Sequence, residues 1–206
     1  MRISRILSPV TALGPGRRVG VWVQGCDLAC SGCASTDTWD RAAGRDMTEE
    51  EVAAEVLELI GAENLTGLTL SGGEPFQQGA ELARVVQLIR VGAPDIDVLV
   101  FTGYPTRIAR RRSPALFELV DVVIAGPYDA SLPSGGPLVA SSNQEVTMQT
   151  PRGRDRFAMG VSHQLQVAAT DMELFILGIP EAGDLDRLET ELAGAGITLG
   201  DVSWRA

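Results

Sequence analysis

An α/β fold with a mainly parallel sheet, in a single domain over residues 1–206, is the class that this sequence predicts. Three observations carry it. Short apolar runs alternate along the chain with amphipathic stretches, the pattern of strand–helix–strand units. The apolar runs are nearly continuous, as strands covered on both faces are. With 206 residues, 45% of them hydrophobic, the chain can bury one sizeable core.

The elements follow in order. "VGVWVQG" (19–25), rich in Val with a Trp, reads as the first strand. The loop "GCDLACSGCASTDTWD" (25–40) comes next. "TEEEVAAEVLELIGA" (48–62) predicts a helix. Thr48 can cap it, Glu51 completes a capping box, and Val52, Val56, Leu57 and Ile60 share one face. "LTGLTLSGGEP" (65–75) is a strand running into a glycine turn, and 79–93 is a helix. "DVLVFTGYP" (97–105) is a strand ending at Gly and Pro. Residues 106–118 predict a helix interrupted at Pro114, and "DVVIAGPYD" (121–129) another strand. Residues 129–160 read as a long loop with room for a short hairpin, and long loops in compact domains are often functional. A strand at 171–180, a helix at 184–195 and a last short strand, "ITLGDVSW", close the chain. Ligands of parallel sheets sit at the carboxyl ends of strands. The cysteine loop, Gly72–Gly73–Glu74, Thr102–Gly103–Tyr104 and Gly126–Pro127–Tyr128 all follow strands, so one edge is expected to gather them.

Composition excludes several functions. No run of 18 apolar residues exists, so no membrane span is expected. The N-terminal "MRISRILSPVTALGPG" lacks the apolar core and cleavage site of a signal peptide, which points to a cytoplasmic protein with reduced thiols. The net charge of −10 argues against general nucleic-acid binding. All 17 basic residues are Arg; without Lys, Schiff-base, pyridoxal-phosphate and Walker-type chemistries are out of reach. The run Arg110–Arg111–Arg112 reads as the solvated face of a helix, with a phosphate patch as the alternative.

All three cysteines, Cys26, Cys30 and Cys33, lie in the 25–40 loop. Three thiols leave one over after any disulfide. A zinc site lacks its fourth ligand, and a cysteine nucleophile lacks a nearby base, because the sole histidine, His163, is far along the chain and reads as a structural residue. Thiolates are the favoured ligands of iron–sulfur clusters, and three of them leave one iron of a cubane open to a substrate or cofactor.

"CDLACSGC" resembles the cluster loop of the radical S-adenosylmethionine superfamily, and "LSGGEP" (70–75) resembles its glycine–glycine–glutamate turn. "GPGRRVGVWVQGC", "TDTWD", "SGGEPFQQ", "FTGYP", "VDVVIAGPY" and "SSNQ" extend the likeness to the anaerobic ribonucleotide reductase activating enzymes. The resemblance implies a partial (βα) barrel in which Cys26, Cys30 and Cys33 hold a 4Fe-4S cluster. It implies S-adenosylmethionine held by Ser71, Gly72, Gly73 and Glu74, with Thr102 touching its methionine or ribose, and no catalytic residue beyond these. It implies a glycyl-radical enzyme as partner and an external one-electron reductant such as flavodoxin or ferredoxin. Departures are Gly32 in place of an aromatic, a less polar "DLA" insert, and Ala34–Ser35–Thr36 where relatives commonly carry a His–Asn pair.

Three functions are weighed. The first is activation of a glycyl-radical enzyme such as an anaerobic ribonucleotide reductase. The second is radical modification of a small molecule or peptide, with 129–160 as the substrate-facing loop. The third is a non-catalytic iron–sulfur protein, for which "SGGEP" would be superfluous. Tyr104 and Tyr128 are expected at the site, Trp22 in the core, and Trp39 and Trp204 are candidates for a cofactor wall.

Overall fold

The computed structural model describes residues 1–161, 164–169, 173–181, 183–200 and 202–203. His163 and Trp204 lie outside them. At the centre are four parallel strands: β2 (Arg18–Val23), β4 (Gly67–Gly72), β5 (Asp97–Thr102) and β6 (Val122–Ala125). β1 (Arg2–Val10) lies antiparallel to β2 and carries the two-residue β3 (Arg45–Asp46) on its outer side. β7 (Glu145–Met148) closes the other flank antiparallel to β6. The order is β3-β1-β2-β4-β5-β6-β7, so the parallel character belongs to the centre and the flanks are antiparallel.

Alternation along the strands builds two apolar faces. Val19, Val21 and Val23 of β2, Leu68 and Leu70 of β4, and Val98 and Val100 of β5 point to the helical side. There they meet α1 (Glu49–Glu63), α2 (Gly79–Gly92) and α4 (Pro114–Leu119). α1 starts with the capping box expected of Thr48 and Glu51. α3 (Thr106–Arg112) and α4 are separate helices, parted just before Pro114 as its missing N–H requires.

The opposite face carries Trp22, Leu99, Phe101, Val122 and Ile124. Trp22 is a core residue, 4% exposed, its ring lying across Gly20 so closely that a Cβ there would meet it at 2.3 Å. The hairpin of β8 (Gln166–Ala169) and β9 (Leu174–Leu177) covers this face through Leu177, Ala168 and Phe175. Leu138, Phe157 and Val161 cover the rest. α5 (Pro151–Ala158) and α6 (Asp184–Gly194) are the remaining α-helices, and short 3-10 turns lie at Thr36–Thr38 and Pro75–Gln78.

Several expectations are corrected. β1 was not expected, because register shifts at Ile3/Arg5 and Leu7/Val10 break the alternation that signals a strand. Residues 129–160 are not one loop: they contain β7 and α5. Of the strand expected at 171–180, residues 171 and 172 lie outside the described residues and β9 takes Leu174–Leu177, with β8 preceding it; of the last expected strand, residues 197–200 are irregular. No helix among the described residues is long and apolar enough to cross a membrane.

Candidate functional site

The four segments that follow parallel strands do meet at one edge. β2 runs directly into the cysteine loop, whose base is fixed by backbone bonds from Gly25 N to Thr38 O (2.7 Å) and from Cys26 N to Trp39 O (3.2 Å). The glycine turn after β4 packs against that base: Gly73 N donates to Val23 O (2.8 Å) and Glu74 N to Gly25 O (3.0 Å). Contact is so close that only glycine fits. A Cβ on Gly72 would meet Val23 O at 2.4 Å, with φ at +105°, and one on Gly73 would meet Gly25 O at 2.2 Å. Sequence reasoning ascribes these glycines to approach of a ligand; here they already serve approach of the cysteine loop.

Cys26, Cys30 and Cys33 are free and half-buried. Ala29 (φ 47°) and Gly32 (φ 75°) take left-handed conformations, which curl the loop between the cysteines. Burial pushes the Cys26 and Cys30 thiols up, and backbone N–H groups oppose it: those of Leu28 and Ala29 at Cys26, those of Tyr128 and Cys30 itself at Cys30. The Ser35 N–H donates to Cys33 Sγ at 3.4 Å. Neighbouring thiols also feel each other's charge, Cys30 raising Cys26 and Cys33 raising Cys30. Among the described residues no three His, Cys, Asp or Glu side chains converge on a single ion. Each thiol is met by backbone N–H groups, and such donors stabilise the sulfur ligands of an iron–sulfur cluster.

Glu74 has a structural task that the sequence did not announce. It is 1% exposed, and three donors already occupy its carboxylate. Oε1 accepts from Phe76 N (2.9 Å) and Thr102 Oγ1 (2.7 Å), and Oε2 from Gly103 N (2.8 Å). A carboxylate has about four acceptor positions, so one remains. The side chain thus ties the β4 turn to the end of β5, and Thr102 uses its hydroxyl in the same tie, accepting also from Tyr104 N (3.1 Å). Ser71 is the β4 residue paired with Trp22.

Burial pushes the Glu74 carboxyl up to about 7 from 4.5, although its three hydrogen bonds and Arg112 pull it down. The folded state therefore favours the proton. That contribution, about 3 kcal/mol, is complete below pH 4.5 and is lost as pH rises through about 7. Glu74→Gln cannot titrate, so calorimetry of cluster-free protein should give a flatter stability profile between pH 4.5 and 7 for the variant. Equal slopes would mean that burial does not raise the Glu74 carboxyl above its ordinary value.

Glutamines and an arginine missed from the sequence complete the edge. Gln24 Nε2 donates to Asp37 O (3.1 Å) and Asp40 O (2.9 Å), and Gln78 Nε2 to Gln24 O (3.0 Å). Gln77 Nε2 donates to Tyr104 Oη (3.0 Å) and to Asp27, beside Cys26, which Arg41 also pairs (3.1 Å). The only signal was "QQ" following "GGEPF". Leu28 packs on Gly103, and Gly32 faces Tyr128 and Ala130. Asn143 and Gln144 hold this last segment by donating to Pro127 O (2.8 Å) and Gly126 O (3.0 Å). Of the expected substrate loop 129–160, its beginning borders the cysteines. α5 lies at the far edge, where Arg152 Nη1 donates to Ile96 O (3.2 Å) and Arg156 faces Asp97 (3.6 Å).

The C-terminal segment reaches the same loop. Thr36 Oγ1 donates to Ser203 O (2.7 Å) and Ser203 Oγ to Ala34 O (2.6 Å). Arg5 pairs with Asp37 (2.6 Å) while its guanidinium lies over Phe175 (5.0 Å) and Trp22 (5.7 Å), joining β9 to the residues after Cys33.

The family described as "4Fe-4S single cluster domain" matches residues 12–147. An anaerobic ribonucleoside-triphosphate reductase-activating protein of Enterobacteria phage T4 is 32% identical over 139 residues, covering 66% of this chain and 87% of the phage protein. A protein of the same name from Vibrio cholerae serotype O1 is 33% identical over 119 residues, covering 56% and 76% respectively. One from Escherichia coli K12 is 28% identical over 136 residues, covering 65% and 88%. α5, the β8–β9 hairpin and α6 lie beyond the matched family region.

Proposed function

Since the chain belongs to the 4Fe-4S single cluster domain family and to that of the anaerobic ribonucleoside-triphosphate reductase-activating proteins, we propose that it activates an anaerobic ribonucleotide reductase. It is an iron–sulfur enzyme whose product is a glycyl radical on that partner. A 4Fe-4S cluster, when bound, supplies the electron that cleaves S-adenosylmethionine to the 5′-deoxyadenosyl radical, which takes a hydrogen atom from the partner's glycine. Cys26, Cys30 and Cys33 hold the cluster. Gly72 and Gly73 present backbone to the methionine end of S-adenosylmethionine, with the remaining acceptor position of Glu74 available to its ammonium group. Ser71 and Thr102 flank this turn. On the same reading the parallel strands and their helices form a partial (βα) barrel and the chain is one cytoplasmic domain.

One observation supports this reading above the others: the bond from Glu74 N to Gly25 O (3.0 Å) joins the glycine turn to the base of the cysteine loop. A purely structural iron–sulfur loop has no need of that juncture. The test is anaerobic reconstitution with iron and sulfide, then incubation with S-adenosylmethionine, a reductant and the reductase. Release of 5′-deoxyadenosine and a glycyl doublet in the electron paramagnetic resonance spectrum of the reductase are expected. Nucleoside release without the doublet would exclude the reductase as partner, and absence of both signals would overturn the proposal.

A further inference from the structure

α3 is a seven-residue helix, "TRIARRR", with four arginines and no acid. Arg107, Arg110, Arg111 and Arg112 are all exposed. None of them makes an ion pair with a carboxylate among the described residues. Arg110 lies over the Phe117 ring (4.7 Å) and Arg112 over Tyr104 (4.5 Å), which holds both guanidinium groups against the body of the protein. Arg107 and Arg111 are one turn apart and share a side of the helix. The carboxylate tied to this helix, Glu145, is bonded to Thr106 (2.8 Å).

The patch is anomalous in this chain. Taking these four charges from the total of −10 leaves −14 on everything else. An acidic protein is therefore repelled by most of the surface and attracted at α3, so that charge alone orients its approach. The helix also begins at the rim of the site. Gly103, three residues before it, donates to Glu74, and Leu28 of the cysteine loop packs on Gly103. From Arg112 a series of contacts leads inward: over Tyr104, whose hydroxyl accepts from Gln77, which binds Asp27, next to Cys26.

We propose that α3 is the docking surface for an acidic one-electron carrier protein, which delivers to the cluster loop the electron that the function proposed above requires. The inference rests on that reading. In the transfer the reduced carrier loses one electron and the cluster gains it; no bond changes hands. All three cysteines of the chain lie in the cluster loop, so no second thiolate-held centre relays the electron. The size fits as well. A seven-residue helix is about 10 Å long, which suits the small, transient interfaces of electron-transfer pairs better than a large lasting one.

The experiment uses the full chain and an acidic flavodoxin as probe. Binding of labelled flavodoxin is followed by fluorescence anisotropy at low and high salt. Reduction of the reconstituted cluster is followed by stopped flow with flavodoxin hydroquinone and, separately, with dithionite. R107E/R111E should lower flavodoxin affinity and its reduction rate at least ~10-fold at low salt and flatten the salt dependence. R107K/R111K should keep both, and reduction by dithionite should stay unchanged in all variants. R84E/R187E, with the same net charge but altered elsewhere, should behave as wild type. Equal losses in R107E/R111E and R84E/R187E, or no loss in either, would overturn the proposal. So would loss of reductase binding with flavodoxin binding intact, which would assign α3 to the reductase. If dithionite-reduced wild type fails to cleave S-adenosylmethionine, the proposed function falls, while the anisotropy result still decides where flavodoxin binds.

Discussion

Arg18→Met is expected to cost about 3–5 kcal/mol of folding stability, the range for breaking a fully buried ion pair. Arg18 is 0% exposed at the start of β2, at the end of the sheet opposite the cysteines. Its Nη2 pairs with Asp97 Oδ2 (2.6 Å) and donates to Leu68 O (2.9 Å). Its Nε donates to Thr69 Oγ1 (2.7 Å) and its Nη1 to Pro15 O (2.9 Å). One side chain thus fastens β2, β4 and β5 together. Room is made for it by two glycines. A Cβ on Gly67 would lie 2.2 Å from Nη1, and one on Gly14 2.8 Å from Cδ. Without the guanidinium, Asp97 keeps only Arg156 at 3.6 Å, and its Oδ1 has no hydrogen-bond partner even in the native protein. The cost is therefore chiefly that of stranding a buried carboxylate. Urea unfolding measures it, and Arg18→Met combined with Asp97→Asn should recover part of the loss. A loss below about 1 kcal/mol would show that the pair adds little beyond its hydrophobic replacement. Along β2 the two edges are about 20 Å apart, so variant that remains folded should still take up a cluster.

Cys30→Ala has the largest expected effect on function: cleavage of S-adenosylmethionine falls to background, with bound iron lost after anaerobic reconstitution. Removing partners outside the ligand shell of a metal site typically costs ~10–100-fold, and losing a ligand exceeds that. Stability of the cluster-free protein should move by no more than about 0.5 kcal/mol, because Cys30 is half-exposed and belongs to none of the buried clusters. Its thiol receives the Tyr128 N–H, which connects the loop after β6 to the cysteine loop; deleting the sulfur also releases that tie. Iron per chain and nucleoside release check the prediction together. Full iron content with normal turnover would remove Cys30 from the ligand set. Cys26→Ala and Cys33→Ala should behave alike, whereas Glu74→Gln should retain iron.

Much of the fold could be read locally. Thr48 and Glu51 announce α1 because a capping box satisfies its own backbone donors within one turn. Pro114 parts α3 from α4 for an equally local reason. β1 and β8 could not be read so. The bulged register of β1 hides its alternation, and β8 finds its place by pairing with β9 and packing on Trp22. Within the site, the three cysteines of "CDLACSGC" stood out by their spacing, and "SGGEP" by its resemblance to a family's glycine turn. The partners of Gln24, Gln77 and Gln78 did not, since an amide side chain has no preferred neighbour until the backbone delivers one.

By itself the sequence determined which chemistry is available: three thiols in one loop, a double-glycine turn, and not a single lysine, all of which are matters of residue identity and short spacing. Only the tertiary structure decided how those parts are used. Gly73 proved to be the space into which the Gly25 carbonyl fits, Glu74 a tie between two strands, and Ser203 a clasp on the residues after Cys33. Each of these depends on segments distant in the chain coming within about 3 Å, a distance that local propensity does not encode and the packing of the whole sheet sets.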